Sequence, residues 1–239
     1  MTRTVSKTNL AWLLTILAIS CAGAGIGNWV RHTSILGGII LVLFLLSLPL
    51  GIELLRKRDP IEYYGLELST LKRINIGLVL SIGVGIFVIL SLVDGMVFHL
   101  WEVLKNVEGS GVGGTSLALA KSNLFYLAVV VIFSGTLLEE LWFRGFIQYK
   151  LRGIKALRKI NPHFAILVQS TLFGLAHFLP VYFATHWSLS LKIWFFVYPF
   201  LVGLLLGYLN EKYRSLWPGW IVHYTNNLLA VFLLRAIVR

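Results

Sequence analysis

The chain has 239 residues, of which 57% are hydrophobic and only 13% charged, and its mean hydropathy is +0.82. That composition excludes an ordinary soluble domain and points to an all-α, polytopic membrane protein. The formal net charge of +11 suits basic cytoplasmic loops better than nucleic-acid binding, and the single cysteine, Cys21, excludes an intramolecular disulfide or a cysteine-based metal site.

Apolar runs near the roughly twenty residues that span a bilayer occur at 10–30, 35–55, 74–100, 124–147, 164–182, 191–209 and 217–238. They predict a bundle of about seven transmembrane helices forming a single integral-membrane domain, 1–239. The first run follows Arg3 and Lys7 and passes through Cys21-Ala-Gly-Ala. More spans follow it, so it reads as an uncleaved first helix. Segments 1–9, 56–73, 148–163 and 210–216 hold fourteen lysines and arginines, and the opposite side holds six. This bias predicts a cytoplasmic N-terminus and an external C-terminus. Residues 56–73 interleave apolar and charged side chains and are expected to lie along the inner membrane surface. Residues 102–122 are rich in glycine and serine and are expected to form an outer loop. Gly203-Leu-Leu-Leu-Gly207 has the small-xxx-small spacing that lets two helices approach closely.

The fourth run contains Gly135-Thr-Leu-Leu-Glu139-Glu140-Leu-Trp-Phe-Arg144-Gly145. Ionisable groups at membrane depth are costly and mark a functional site by default. Successive helix residues point about 100° apart, so Glu139 and Glu140 cannot face the same way. Glu140 and Arg144 are an i,i+4 pair with the acid first, the favourable order. Glu139 has no such partner on its own helix. His177 lies in the fifth run, and His223 and Asn227 lie four apart on one face of the last. Counted from the turn near 153–162, Glu139 and His177 stand at similar heights, roughly 21–23 Å along their helices. A buried glutamate beside a histidine can take a proton from water, and a second histidine with an asparagine amide can donate to an oxyanion. That combination suits amide hydrolysis. Glu139, His177 and His223 are also a three-ligand set for zinc with an open position, although no His-Glu-x-x-His motif is present. Ser134, Ser170 and Thr136 lie outside any Gly-x-Ser-x-Gly pattern and make weaker nucleophiles. Asp94 and His99 read as an outer-edge polar pair, and His32, His163 and His186 as loop residues. A proton-coupled transporter is disfavoured, because the buried polar groups form one layer rather than a relay.

Glu139-Glu140-x-x-x-Arg144-Gly145, Phe173-x-x-x-His177 and His223-x-x-x-Asn227, in this order on separate apolar helices, resemble the CPBP family. Its members are CAAX prenyl protease type 2 and bacteriocin-processing (Abi) intramembrane proteases. The resemblance covers about Phe125 to Val231, within a protease core at about 124–238. It implies an endopeptidase in which Glu139 and His177 activate water and His223 and Asn227 form the oxyanion hole. Glu140, Arg144 and Phe173 would support the site. The implied substrates are prenylated or hydrophobic peptides or proteins, cleaved near the C-terminus. The family is catalogued as metalloproteases, but a metal-free glutamate mechanism is favoured for the CAAX branch. Zinc is therefore the one candidate cofactor, not a required one. A non-catalytic scaffold or immunity-type member of the same family is the alternative. The bilayer is the expected environment, in a prokaryotic plasma membrane with the site towards the cytoplasm.

Overall fold

The computed structural model describes residues 48–49, 51–53, 55–56, 63–93, 132–161, 163–182 and 188–238. Among the described residues every element is helical and no strand occurs. A 3-10 helix, Leu68–Arg73, leads into α1 (Ile76–Val93). Helix α2 (Phe133–Glu140) continues through a π-helical stretch, Leu141–Gln148, into α3 (Tyr149–Arg152). The short α4 (Lys155–Ile160) precedes α5 (Phe164–Tyr182), α6 (Leu189–Tyr213) and α7 (Trp217–Val238). The first apolar run, most of the second, the start of the fourth and the 102–122 loop lie outside the described residues. So do Asp94, His99, His32, His186 and the N-terminal segment that would fix orientation.

Local chemistry sets the helix ends. Asn75 Oδ1 accepts the Leu78 N–H at 3.0 Å before α1, and Ser188 Oγ accepts the Leu191 N–H at 3.2 Å before α6. Both satisfy first-turn donors that have no intrahelical partner. Pro218 sits in the first turn of α7, where its missing N–H costs nothing. Helices α5 and α7 have the bounds expected from the apolar runs, while α6 extends the 191–209 run at both ends. The fourth run differs most: its helix continues to Arg152 and changes to π geometry at Leu141.

Helices α1 and α6 are long and apolar enough to cross a membrane. Leu78, Leu80, Val84, Val88, Ile89 and Leu92 of α1 are exposed, as expected of a face turned to lipid, which is as apolar as leucine. The π stretch runs through the centre. Seven of its eight residues are buried, and Leu141, Trp142, Phe146 and Ile147 pack with Tyr64, Leu151 and Leu216.

Helices α5 and α6 meet almost backbone to backbone, and glycines on both make this possible. A Cβ on Gly174 would lie 2.8 Å from the Phe196 carbonyl oxygen, and one on Gly207 would lie 2.6 Å from Gln169 Nε2. The approach exposes glycine carbonyls to buried amides: Gln169 Nε2 donates to Gly203 O at 2.9 Å and Gln148 Nε2 to Gly207 O at 3.0 Å. The Gly203–Gly207 spacing is thus a close-packing device.

Residues 63–73, expected to lie along the membrane surface, also dock on the protein itself. Tyr64 is buried and its hydroxyl donates to Pro49 O at 3.1 Å. Gly65 O accepts the Leu216 N–H at 3.3 Å and the Ser215 hydroxyl at 2.8 Å. Gly65 has φ +64°, and a Cβ there would meet Arg214 O at 2.6 Å. The segment is a strap docked on the α6–α7 turn. An amphipathic pattern looks the same whether its apolar face meets lipid or protein.

Candidate active site

Four helical segments place the polar residues. Glu139 and Glu140 end α2, Arg144 lies in the π stretch, His177 is on α5, and His223 and Asn227 are on α7. The two adjacent carboxylates do part. Glu140 is fully buried, whereas the Glu139 side chain keeps 36% of its surface accessible.

Glu140 Oε1 lies 3.0 Å from Arg144 Nη1 and 2.9 Å from His223 Nδ1. The expected Glu140–Arg144 pair therefore exists, and the same oxygen also holds a histidine from the last helix. Gly219 permits this approach, since a Cβ there would sit 3.0 Å from Glu140 Oε2. Phe173 completes the support. Its ring lies 4.2 Å from the Arg144 guanidinium carbon, within cation–π range, and contacts the rings of His177 and His223 edge-on.

Each histidine is anchored through Nδ1. His177 Nδ1 donates to the Phe173 carbonyl at 2.9 Å. A carbonyl can only accept, so this bond fixes the proton on Nδ1. His223 Nδ1 faces a carboxylate oxygen in the same way. Both rings thus turn Nε2 towards Glu139. Glu139 Oε2 lies 4.0 Å from His177 Nε2 and 3.6 Å from His223 Nε2, and it is buried without a hydrogen-bond partner among the described residues. Both gaps exceed hydrogen-bond length and have room for a bridging water or substrate oxygen. His223 is almost wholly enclosed, while His177 and Glu139 are each more than a third accessible. The accessible pair can meet an incoming molecule.

Asn227 is half-buried on the His223 face of α7. Its Oδ1 accepts from Asn226 Nδ2 at 3.3 Å, which leaves its own amide N–H groups as the donors. Asn226, absent from the sequence reading, is buried and donates to the Tyr198 hydroxyl at 2.7 Å. The signal for it was its place beside Asn227 in an apolar helix. Gln148 and Gln169 were signalled in the same way, by amides within apolar runs. Ser170 Oγ donates to Ile166 O and Thr136 Oγ1 to Ile132 O, each at 2.7 Å, which ties both hydroxyls to their own helices. His163 faces Glu211, away from this site. Among the described residues no three His, Cys, Asp or Glu side chains are grouped closely enough to hold a metal ion. Glu139, His177 and His223 as they stand do not form such a set.

No curated protein and no solved structure matches the chain. One family model does, that of type II CAAX prenyl endopeptidase Rce1-like proteins, over residues 121–229. That span holds Glu139, Glu140, Arg144, Phe173, His177, His223 and Asn227. Over that span the chain is similar to the Rce1-like family of CAAX-type, membrane-embedded proteases within CPBP.

Proposed function

We propose that the chain is an intramembrane endopeptidase that hydrolyses a peptide bond near the C-terminus of prenylated or hydrophobic substrates. The observation that carries the reading is the convergence of two histidine Nε2 atoms on one unbonded oxygen of Glu139. Water held between Glu139 and His177 attacks the scissile carbonyl carbon, and its proton passes to the Glu139 carboxylate. The carbonyl π-bond opens to an oxyanion, which accepts hydrogen bonds from His223 Nε2–H and the Asn227 amide. His223 must carry a proton on Nε2 to donate, while its Nδ1–H is held by Glu140, the carboxylate that also pairs with Arg144. Collapse of the tetrahedral intermediate breaks the C–N bond, and the proton returns from Glu139 to the leaving amine. The products are a carboxylic acid and an amine, which exchange a proton to leave as carboxylate and ammonium, and the proposed steps use protein side chains alone.

The chain is proposed to be multi-pass, with the site opening towards the cytoplasm. The test is cleavage of a panel of prenylated and unprenylated peptides by the purified protein in proteoliposomes. The proposal expects cleavage that Glu139→Ala abolishes. A wild-type protein that cleaves nothing, joined to a cellular phenotype that survives Glu139→Ala but not deletion, would favour the scaffold reading. A zinc-dependent reading keeps one point of support, because Nδ1-anchored histidines presenting Nε2 are also how metal ligands are oriented. The metal-free reading expects cleavage to persist after chelation. Loss on chelation with rescue by zinc would overturn it.

A further inference from the structure

A cleft of about 330 Å³ opens where the α2–α3 helix, α4, α5 and the α6–α7 turn end together. Arg152 lies thirteen residues beyond Glu139, roughly 20 Å along the helix, so this cleft is separate from the site above. Its wall has an apolar floor, with Leu151, Leu157 and Phe164, beneath a basic rim of Arg152, Arg158, Arg214 and His163. One acid, Glu211, faces these groups: its carboxylate holds Arg152 Nε at 3.1 Å and His163 Nδ1 at 3.3 Å. Arg158 and Arg214 have no acidic partner among the described residues.

Arg214 carries a second signal. It ends α6 with φ +50°, the only non-glycine at positive φ among the described residues. That left-handed position usually belongs to glycine or asparagine, and a residue with a Cβ is strained there. The strap fixes the backbone at this point through Gly65. Arg214 thus lines the cleft from a clamped backbone, with no acidic partner among the described residues.

We propose that this cleft binds the phosphate headgroup of an anionic membrane lipid, with Arg158 and Arg214 pairing the phosphate oxygens. The start of the acyl region would lie on the Leu151–Leu157–Phe164 floor. Guanidinium groups match phosphate in charge and in planar two-donor geometry, and basic pockets between helix ends on the cytoplasmic side suit such headgroups. The apolar floor favours a lipid over free phosphate.

The test is native mass spectrometry of the full-length protein in detergent, titrated with phosphatidylglycerol, phosphatidylcholine or inorganic phosphate. Three charge-removing variants are compared with wild type: Arg158→Gln alone, Arg158→Gln with Arg214→Asn, and Lys155→Gln with Lys159→Gln as an off-cleft control. Asparagine tolerates the left-handed backbone, and Arg158 is exposed and unpartnered, so these changes spare the fold. The proposal expects phosphatidylglycerol affinity to fall roughly fivefold in the single variant and roughly thirtyfold in the double one. The lysine control should change it less than threefold, and phosphatidylcholine should bind at least tenfold more weakly than phosphatidylglycerol. Equal losses in the arginine and lysine doubles would overturn the site in favour of diffuse surface charge. Inorganic phosphate that binds alone and displaces the lipid at equal concentration would overturn the lipid source. No loss in either arginine variant would overturn the proposal entirely.

Discussion

At position 140 one carboxylate oxygen serves two partners, His223 Nδ1 at 2.9 Å and Arg144 Nη1 at 3.0 Å, and all three side chains are buried. Removing one member of a buried charge group leaves the others uncompensated, which typically costs about 3–5 kcal/mol. Glu140→Gln should therefore lower thermal stability by an amount of that order and also release His223, so that stability and cleavage fall together. An unchanged melting temperature would show that the buried group does not hold the fold. Asn227→Ala makes the opposite prediction: a fall in kcat of roughly 10²–10³-fold with stability nearly intact, measured by steady-state kinetics beside a thermal melt. The split between Glu139 and Glu140 was legible in the sequence, because adjacent helix residues diverge by about 100°. The Glu140–His223 contact was not, since eighty-three residues separate the partners and only the packing of α7 against α2 brings them together.

Among the elements, α5 and α7 were legible to the residue. Their apolar runs are bounded by Asn161-Pro162 on one side and by Trp217-Pro218-Gly219 on the other, and those flanks punctuate helices. The π stretch was not legible, because hydropathy over eight residues does not distinguish i→i+4 from i→i+5 bonding. Such stretches often accompany functional sites, and here it joins Glu140 to Arg144 and Gln148. The 63–73 strap was missed for a different reason: its amphipathic pattern does not say which surface it covers. The α5–α6 contact yields a sharp test. Gly174→Ala would put its Cβ 2.8 Å from a backbone oxygen of Phe196, which cannot move aside as a side chain could. It should cost about 1–3 kcal/mol in overpacking, read as a lowered unfolding temperature. The same substitution at Gly85, where nothing lies within 4 Å, should not destabilise.

For the whole molecule, composition pointed to a membrane protein, and the length of the apolar runs, without alternation, pointed to helices rather than barrel strands. The basic α4 segment, Lys155–Ile160, gives a handle on orientation. With Cys21→Ser as background, Lys159→Cys should react with a membrane-impermeant maleimide only from the cytoplasmic side of sealed vesicles. Labelling from the outer side would reverse the proposed topology.

Glu139, held between two Nδ1-anchored histidines, is proposed to activate water. This role is tested most directly by single-turnover cleavage of a prenylated peptide by wild-type protein and by Glu139→Gln, a near-isosteric change that removes the base. The cleavage rate should fall at least 10²-fold while substrate affinity and thermal stability stay close to wild type. Cleavage at the wild-type rate by Glu139→Gln would contradict it.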